Sequence, residues 1–253
     1  KKIVTVHDLT PLVFPEHFKA GLRGTLKWQI QKYALKNAKA VISDSESSKK
    51  DIVKHTGIEE SKINVVYLAA GEEFKVIENA KFKARKLMSK YKLPDRFALY
   101  VGDVTWNKNL PRLMEAIKKT NIPLVMVGQA LTNMNFDPRN PWNKDFAKVL
   151  DLTKSDKRIF RLGFVSSEEL VLLYNIATVF VMPSLYEGFG LPVLEAMSCG
   201  CPVLTSKEGS LSEIVGEAGI TVNPYNVESI ANGISSIFNN HNLQEEFSRK
   251  GII

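Results

Sequence analysis

The chain has 253 residues, of which 44% are hydrophobic, 9% aromatic and 24% charged, with a formal net charge of +7. This composition is typical of globular proteins and excludes disordered, collagen-like and coiled-coil classes. The longest uncharged central stretch, residues 170–186, is interrupted by Asn175 and Pro183 and is shorter than the ~20 apolar residues of a membrane-spanning helix, so none is expected.

Short β-branched runs alternate with helical patterns over residues 1–70, an order typical of the parallel βαβ units of an α/β protein. The sequence predicts strands at 3–6, 40–43 and 64–68, with helices at 19–37 and 47–55. Three parallel strands are too few to cover their helices on both faces. The chain also opens on Lys1 and Lys2 without a Met. We therefore expect residues 1–70 to be a first domain that lacks its beginning.

The same alternation continues through the rest of the chain. Residues 71–91 are predicted as a linker and a bridging helix, whose helical part at 81–91 stops before Pro94. Residues 92–253 are predicted as a second, complete domain, with a capping box of Ser166 and Glu169 starting one of its helices. Its strands are expected at 97–102, 124–128, 158–162, 178–182, 202–205 and 219–222, and its helices at 110–119, 145–152, 167–175, 191–199, 211–216 and 227–239.

Positive charge is concentrated at the front of the chain. Residues 1–100 contain 20 basic and 11 acidic side chains, whereas residues 101–253 contain 14 and 16. Lys19, Arg23 and Lys27 recur at four-residue spacing beside an apolar stripe, which predicts a basic amphipathic helix. Such a helix fits an anionic membrane surface, but the same charge also fits a phosphorylated substrate, a nucleic acid or a solvated face.

Two cysteines, Cys199 and Cys201, are too few for a disulfide framework, and no His lies near them for a zinc site. We expect both to serve packing. This cysteine usage predicts a reducing, cytoplasmic setting.

The most informative segment is residues 186–195, which follow the strand predicted at 178–182. Ligands bind open α/β sheets at the carboxyl edge of the strands. Gly188 and Gly190 permit a tight turn, and the amides from Phe189 to Leu191 lie at the start of a helix, where a phosphate binds favourably. Glu187, just before that helix, and Glu195, inside it, add acceptors for sugar hydroxyls. The run fails as a dinucleotide fingerprint because Val193 replaces the third glycine. The alternative is a glycine-rich turn with two solvated glutamates.

The segment from Glu187 to Glu195 resembles the E-x7-E motif of retaining glycosyltransferase family 4. Essentially the whole chain shares the likeness. Further stretches that resemble the family are His7-Asp8-Leu9-Thr10, Ala40-Val41-Ile42-Ser43-Asp44-Ser45, Val65-Val66-Tyr67, Tyr100-Val101-Gly102, Asn107-Lys108-Asn109-Leu110, Cys199-Gly200-Cys201-Pro202-Val203-Leu204 and Gly209-Ser210-Leu211-Ser212-Glu213-Ile214.

The resemblance implies a B-type glycosyltransferase fold, with two Rossmann-like domains and catalysis in the cleft between them. Glu187 would then bind donor-sugar hydroxyls, Lys108 would neutralise the leaving group, and His7 would face the sugar. A cation suits this reaction, because breaking the glycosyl–phosphate bond places negative charge on the departing oxygen. For His7, the alternative is a hydrogen-bonded histidine at a strand end.

The same resemblance implies the donor-binding residues. Glu195 would bind the ribose, and the amides of Phe189 and Gly190 would hold the diphosphate. The family often has Arg where Asn107 stands, which removes a second cation from the expected site. The remaining nucleotide-sugar-binding residues implied by the resemblance are Gly102, Asn107, Gly188 and Leu191.

The function implied is a retaining transferase that moves a hexose, such as mannose from GDP-mannose, to a saccharide or lipid-linked acceptor during polysaccharide or glycoconjugate synthesis. No D-x-D occurs, so a metal-independent enzyme without a cofactor is expected. We also expect no nucleic-acid partner, since the chain has no recognised nucleic-acid motif. Peripheral membrane attachment is expected through the basic helix. The alternative is a module that binds nucleotide-sugar without catalysing transfer.

Overall fold

In a computed structural model, which describes residues 2–18, 21–132, 137 and 144–252, the chain forms two parallel sheets with helices packed against them. The three strands of the first sheet precede residue 66, and the six strands of the second follow residue 97. The strands are β1 (Ile3–Val6), β2 (Ala40–Ser43), β3 (Ile63–Val65), β4 (Ala98–Val101), β5 (Leu124–Val127), β6 (Ile159–Gly163), β7 (Val179–Met182), β8 (Val203–Ser206) and β9 (Gly219–Val222).

The helices alternate with these strands. Short 3-10 turns at Glu60–Lys62, Trp106–Lys108 and Gln129–Thr132 supplement them. The α-helices are α1 (Thr10–Val13), α2 (Leu22–Lys36), α3 (Glu46–Thr56), α4 (Ala80–Lys83), α5 (Arg85–Tyr91), α6 (Leu110–Lys119), α7 (Lys144–Thr153), α8 (Ser167–Ile176), α9 (Leu191–Ser198), α10 (Leu211–Val215), α11 (Val227–Phe238) and α12 (His241–Gly251).

The first unit, residues 2–65, is a three-stranded parallel sheet in the order β1-β2-β3. Helix α3 packs against it through Ile52, which is fully buried beside Val41 and Ile63. Ser45 caps α3 by accepting from the Ser48 amide, and Gly57 ends it in the left-handed conformation that glycine adopts without strain. This unit therefore presents the start of α3 at the carboxyl edge of its sheet.

Helix α2 of the first unit packs only weakly. Leu35 is its one buried residue in the described part of the helix. Along the exposed side, Leu22, Leu26 and Ile30 recur at four-residue spacing and Tyr33 follows. The predicted start of this helix included Lys19, which lies outside the described residues. An uncovered apolar stripe thus runs the length of α2.

The second unit contains a six-stranded parallel sheet in the order β6-β5-β4-β7-β8-β9. Its strands are continuous apolar runs, as in Val179–Met182 where every residue is buried, because helices cover both faces. Helices α5, α8, α9 and α10 pack on one face, and α6, α7, α11 and α12 on the other. The strand order reverses between β4 and β7, and this is the doubly wound Rossmann arrangement with its topological switch point.

The structure confirms the α/β class with two Rossmann-like units, and it confirms the capping box at Ser166. One predicted helix differs, and the helices α1 and α12 were not predicted. The single helix expected at 81–91 is two short helices that meet at the buried Ala84. Helix α12 was not predicted, because its sequence is mostly polar and, among the described residues, it buries only Phe247 and Gly251. The domain boundaries at 70 and 91 stay a prediction.

Asn109 ties together three loops at the carboxyl edge of the second sheet. It is 2% exposed and adopts a left-handed backbone conformation (φ 57°) after the loop that follows β4. Its side-chain amide donates to the carbonyls of Pro183 and Pro224, at 3.0 and 2.7 Å. These bonds join the ends of β4 and β7 to the loop after β9, which fixes the two loops on either side of the switch point.

Two variants of Asn109 separate the contribution of its hydrogen bonds to stability from that of its backbone conformation. Asn109→Gly keeps the left-handed conformation but leaves two carbonyls without their donor, so we expect a loss of about 2–3 kcal/mol in the free energy of unfolding. Asn109→Ala should cost about 1 kcal/mol more, because a Cβ is strained at positive φ. Urea unfolding followed by circular dichroism measures both. A glycine variant as stable as the wild type would show that the amide does not hold these loops.

Candidate functional site

The loops after β4 and β7 leave the sheet at its switch point, where open α/β sheets place their ligand crevice. The first loop carries Lys108 in a 3-10 turn, and the second carries Glu187 before helix α9. The backbone of Asn107 joins the two loops, since Leu185 donates its amide to the Asn107 carbonyl at 2.6 Å. The strand order therefore brings together the residues that the motif singled out.

Backbone geometry at Gly188 and Gly190 explains why glycine occurs there. A Cβ on Gly188 would lie 2.6 Å from the Cβ of Asp8 and 3.0 Å from the carbonyl oxygen of His7. Gly190 has φ 111° and would place a Cβ 2.7 Å from Leu211. The turn at 187–190 consequently presses against the end of β1 on one side and against α10 on the other.

Ser210 holds this turn from within the second unit. Its amide and hydroxyl both lie within hydrogen-bonding distance of the Glu187 carbonyl, at 3.2 and 3.0 Å, and its hydroxyl lies 2.6 Å from the Phe189 carbonyl. Ser210 is fully buried. Carbonyls on both sides of Gly188 are thus bound to one serine.

The amides at the start of α9 are available to a ligand. Gly190 precedes the helix without a side-chain capping bond, and Pro192 occupies the first turn. Within the described part of the chain, the amides of Phe189 and Gly190 have no hydrogen-bond acceptor. Helix N-termini bind anions through such amides and through the positive end of the helix dipole.

Lys108 and Glu187 form an ion pair with 2.8 Å between Nζ and Oε1. Their side chains are only 18% and 13% exposed. The nearby Tyr100 phenol is buried, which raises its pKa well above the usual value, and the Glu187 charge raises it further. The structure therefore brings the predicted cation and the predicted sugar-binding carboxylate into direct contact.

Gly102 and Asn107 support the ion pair from the β4 loop. Gly102 leaves room for the Tyr100 hydroxyl, which would lie 2.8 Å from a Cβ at that position. The Asn107 side chain donates to the Tyr186 carbonyl at 3.1 Å and accepts from Thr105 at 2.6 Å. Asn107 thus joins the two loops, and its contact with a nucleotide-sugar stays a prediction.

Glu195 lies one turn inside α9 and accepts a hydrogen bond from the Tyr174 hydroxyl at 2.9 Å. Burial raises the pKa of the Glu195 carboxyl, the Tyr174 bond opposes that shift, and the Glu73 charge adds to it. The carboxyl therefore binds its proton more tightly than an exposed glutamate does. Leu191, at the first position of α9, is 38% exposed.

His7 reaches the site from the end of β1. Its Nδ1 lies 2.7 Å from Oδ2 of Asp44, and the imidazole is 74% exposed whereas Asp44 is buried. Since one ring nitrogen faces the carboxylate, the other is directed to the exposed side of the ring. Sequence reasoning identified His7 but assigned no role to Asp44, although Asp44 lies in a stretch that resembles the family.

The first unit also contacts the second through the start of α3 and through an aromatic cluster. The Tyr186 hydroxyl donates to Asp51, and the Trp106 ring stacks on His17 with 3.9 Å between ring centroids. Phe14 lies edge-on to the Trp106 ring at 4.9 Å. Trp106 thus packs against residues that follow α1.

Three further observations bear on the sequence expectations. No helix in the described ranges is long and apolar enough to cross a membrane. Among those residues, no cluster of three His, Cys, Asp or Glu side chains is arranged to hold a metal ion. Cys199 and Cys201 are buried free thiols, and burial raises the pKa of Cys199 to about 12.

Comparison with known proteins gives a family. The model described as "Glycosyl transferases group 1" matches residues 83–252, about two thirds of the chain. The chain belongs to this family of glycosyltransferases. A second model, "Glycosyltransferase Family 4", matches residues 1–70 of this glycosyltransferase chain, which confirms the resemblance seen in the motif.

Relatives and solved structures agree with this assignment. The chain is 31% identical to the serotype-specific mannosyltransferase WbdA of Escherichia coli, over 91% of this chain and 28% of that protein. It is 28% identical to O-antigen chain mannosyltransferase B of Escherichia coli, over 100% and 65%. It superimposes on Anabaena HepE in complex with UDP and glucose with a TM-score of 0.78 and 21% identity, over 99% and 65%. The chain thus spans less than two thirds of each of these proteins, and its likeness to HepE confirms the B-type glycosyltransferase fold.

Replacing Glu195 tests its raised pKa. The folded chain binds the Glu195 proton more tightly than the unfolded chain, so ionisation of Glu195 disfavours the folded state once the pH exceeds the ordinary carboxyl pKa of about 4.3. Glu195→Gln retains an acceptor for Tyr174 and should therefore raise the thermal midpoint at pH 7. The difference should vanish at pH 4 and below.

Differential scanning calorimetry across this pH range measures the effect, with the exposed Glu72→Gln as the control variant. A stabilisation by Glu195→Gln that is equal at pH 4 and pH 7 would contradict the assigned shift.

Proposed function

We propose that the protein is a retaining hexosyltransferase that binds a nucleotide-sugar at the switch point of its second unit. The observation that carries this proposal is the turn at 187–190, whose two unpaired amides open α9 beside the Lys108 ammonium. A diphosphate matches that combination of amides and positive charge. The mannosyltransferase relatives, together with HepE in its UDP and glucose complex, favour a hexose donor.

In the proposed reaction, the bond between the sugar and the diphosphate breaks while the acceptor hydroxyl attacks the same face. The departing oxygen gains negative charge and the sugar ring gains positive charge. Lys108 and the amides of Phe189 and Gly190 stabilise the oxygen, so this proposal needs no metal ion or cofactor. The diphosphate accepts the proton of the acceptor hydroxyl, and no protein nucleophile is required.

Glu187 and Glu195 are proposed to bind hydroxyl groups of the donor. When Lys108 turns to the diphosphate, Glu187 retains its carboxylate oxygens for the sugar. Glu195 already accepts from Tyr174 through Oε2, which leaves acceptor capacity for the ribose. His7 faces the sugar from the first unit, and Gly102 and Leu191 line the nucleotide side. We propose mannose from GDP-mannose as the transferred hexose, on the strength of the mannosyltransferase relatives.

Removing the predicted cation should abolish most of the activity. Lys108→Ala takes away a charge that stabilises the leaving group and leaves Glu187 without its partner, so we expect turnover to fall by about 100-fold or more. Glu187→Ala should reduce turnover to a similar extent, because the donor sugar loses its acceptor. Transfer of radiolabelled mannose from GDP-mannose measures turnover, and calorimetry with GDP-mannose and UDP-glucose measures binding.

Lys119→Ala serves as the matched control. Lys119 lies at the end of α6 that is remote from the site, and it forms an exposed ion pair with Glu228. Wild-type turnover in both site variants would refute the assignment of Lys108 and Glu187. Donor binding without any transfer by the wild-type chain would favour the alternative function, a nucleotide-sugar-binding module.

We also propose that α2 attaches the protein to an anionic membrane surface at the cytoplasmic face, where a lipid-linked acceptor would be presented. Leu22, Leu26 and Ile30 form an exposed apolar stripe, and Arg23 and Lys27 flank it. Exposed apolar side chains and basic charges both favour binding to an anionic membrane surface, and α2 carries both on its exposed side. The net positive charge of residues 1–100 is opposite to the charge of an anionic membrane and so favours binding to it.

Neutralising two charges on α2 tests the attachment. Each Lys or Arg near an anionic surface contributes about 1 kcal/mol, so the double variant Arg23→Gln, Lys27→Gln should bind vesicles of phosphatidylserine and phosphatidylcholine about 30-fold more weakly. Co-sedimentation with the vesicles measures the partition. The control is Lys118→Gln, Lys119→Gln, at the end of α6 in the second unit. Equal loss in both double variants would refute a specific role for α2.

A further inference from the structure

The turn that is proposed to bind the donor diphosphate is also held from the first unit, through hydrogen bonds to one of its carbonyls. The Gly188 carbonyl accepts from the Ser45 hydroxyl at 2.7 Å and lies 3.0 Å from the Ser48 hydroxyl. Both serines are fully buried at the start of α3 in the first unit. They lie far from Gly188 in the sequence, so only the packing of the two units brings these groups together.

The orientation of this carbonyl determines where the next amide points. Because a trans peptide is planar, its C=O and N–H bonds point in opposite directions. The Phe189 N–H is therefore directed away from α3, and it is one of the two unpaired amides of the candidate site. Hydrogen bonds accepted by a carbonyl also polarise its peptide group, which makes the attached N–H a stronger donor.

All three carbonyls of the turn are bound in this way. Those of Glu187 and Phe189 accept from Ser210, and that of Gly188 accepts from the first unit. Rotation of any of these peptide groups would break a buried hydrogen bond. The conformation of the turn consequently depends on groups from both sheets.

Other contacts keep the start of α3 against the turn. The Glu213 carboxylate accepts from the amides of Glu46 and Ser47, at 2.8 and 3.2 Å, and so occupies the N-terminus of α3. Tyr186, which precedes the turn, donates to Asp51 one turn further along α3. These bonds fix α3 on both sides of the two serines, which makes the Gly188 contact part of a built interface.

We propose that Ser45 and Ser48 are positioning residues for the donor diphosphate: by binding the Gly188 carbonyl they aim and polarise the Phe189 amide. The inference rests on the proposed nucleotide-sugar site and assigns the first unit a part in donor binding. Neither serine touches the donor. Their effect is expected on the terminal phosphate alone, because the base and ribose are held elsewhere in the second unit.

Each hydroxyl has one hydrogen to donate, and this decides which variant is informative. Ser45 donates to Gly188 while accepting from the Ser48 amide, so Ser45→Ala would also remove the helix cap. Ser48 has no capping role. Its hydroxyl lies between the carbonyls of His7 and Gly188, at 3.1 and 3.0 Å. Ser48→Ala therefore removes a hydroxyl that the carbonyls of the turn and of His7 share, and it leaves the cap of α3 intact.

The test compares nucleoside diphosphate with nucleoside monophosphate binding. We expect Ser48→Ala to lower the ratio of GDP to GMP affinity, or of UDP to UMP affinity, by about threefold to tenfold, the equivalent of one hydrogen bond. Monophosphate affinity should stay within about twofold of the wild type. Isothermal titration calorimetry measures the four ligands, and circular dichroism confirms the fold of each variant. Ser61→Ala, an exposed serine of the same unit, is the control.

A second pair of variants decides the question if Ser48→Ala does not fold. Ser45→Thr retains both the capping oxygen and the hydroxyl donor and should keep the wild-type ratio. Ser45→Gly is a tolerated N-cap residue but has no donor, so the ratio should fall. A ratio that is unchanged in Ser48→Ala, or an equal loss of monophosphate and diphosphate affinity, would overturn this inference while the site remains. A wild-type chain that binds neither GDP nor UDP would instead overturn the proposed function.

Discussion

The site depends on the hydrogen bonding of three consecutive carbonyls, those of Glu187, Gly188 and Phe189. Serine groups bind all of them: the amide and hydroxyl of Ser210 bind those of Glu187 and Phe189, and a hydroxyl of the first unit binds that of Gly188. A bound carbonyl cannot rotate toward solvent, so the amides that follow keep one direction. This arrangement gives a short glycine-containing turn the rigidity that anion binding by backbone groups requires, since the amides need no reorganisation when charge develops.

The Lys108–Glu187 ion pair complements that backbone frame. Two charges that are less than one fifth exposed need a partner, because an unpaired charge in such a place loses much of its hydration. Each charge provides that partner to the other. A diphosphate placed at the α9 N-terminus would share the ammonium with Glu187, and donor hydroxyls would take up the acceptor capacity of the carboxylate. The pair thus holds the ammonium and the carboxylate next to the α9 N-terminus.

The sequence predicts the sheets well and the contacts between them poorly. Every strand overlaps its predicted range, since runs such as Val179–Met182 are buried on both faces and stand out as short apolar segments. The turn at 187–190 was also found, because its glycines and the helix start are local. Asp44, Ser45 and Glu213 were missed as site residues: each acts on a group that is distant in the sequence, and short polar side chains occur in many solvated loops. The role of Asn107 in joining two loops was missed for the same reason, because the carbonyl that it binds belongs to the loop after β7.

The packing of the two sheets and the geometry of the proposed donor site are linked thermodynamically. The Gly188 carbonyl can bind either the serines of α3 or water, and only the first choice fixes the Phe189 amide. Any change that separates α3 from the turn should therefore weaken the binding of an anion at that amide. By thermodynamic reciprocity, an anion bound there should stabilise the packing of α3 against the turn. Gly188 lies so close to Asp8 that any larger residue at position 188 would push the end of β1 away from the turn. A glycine at 188 is thus required by the fit between the units, and a glycine at 190 by the turn itself.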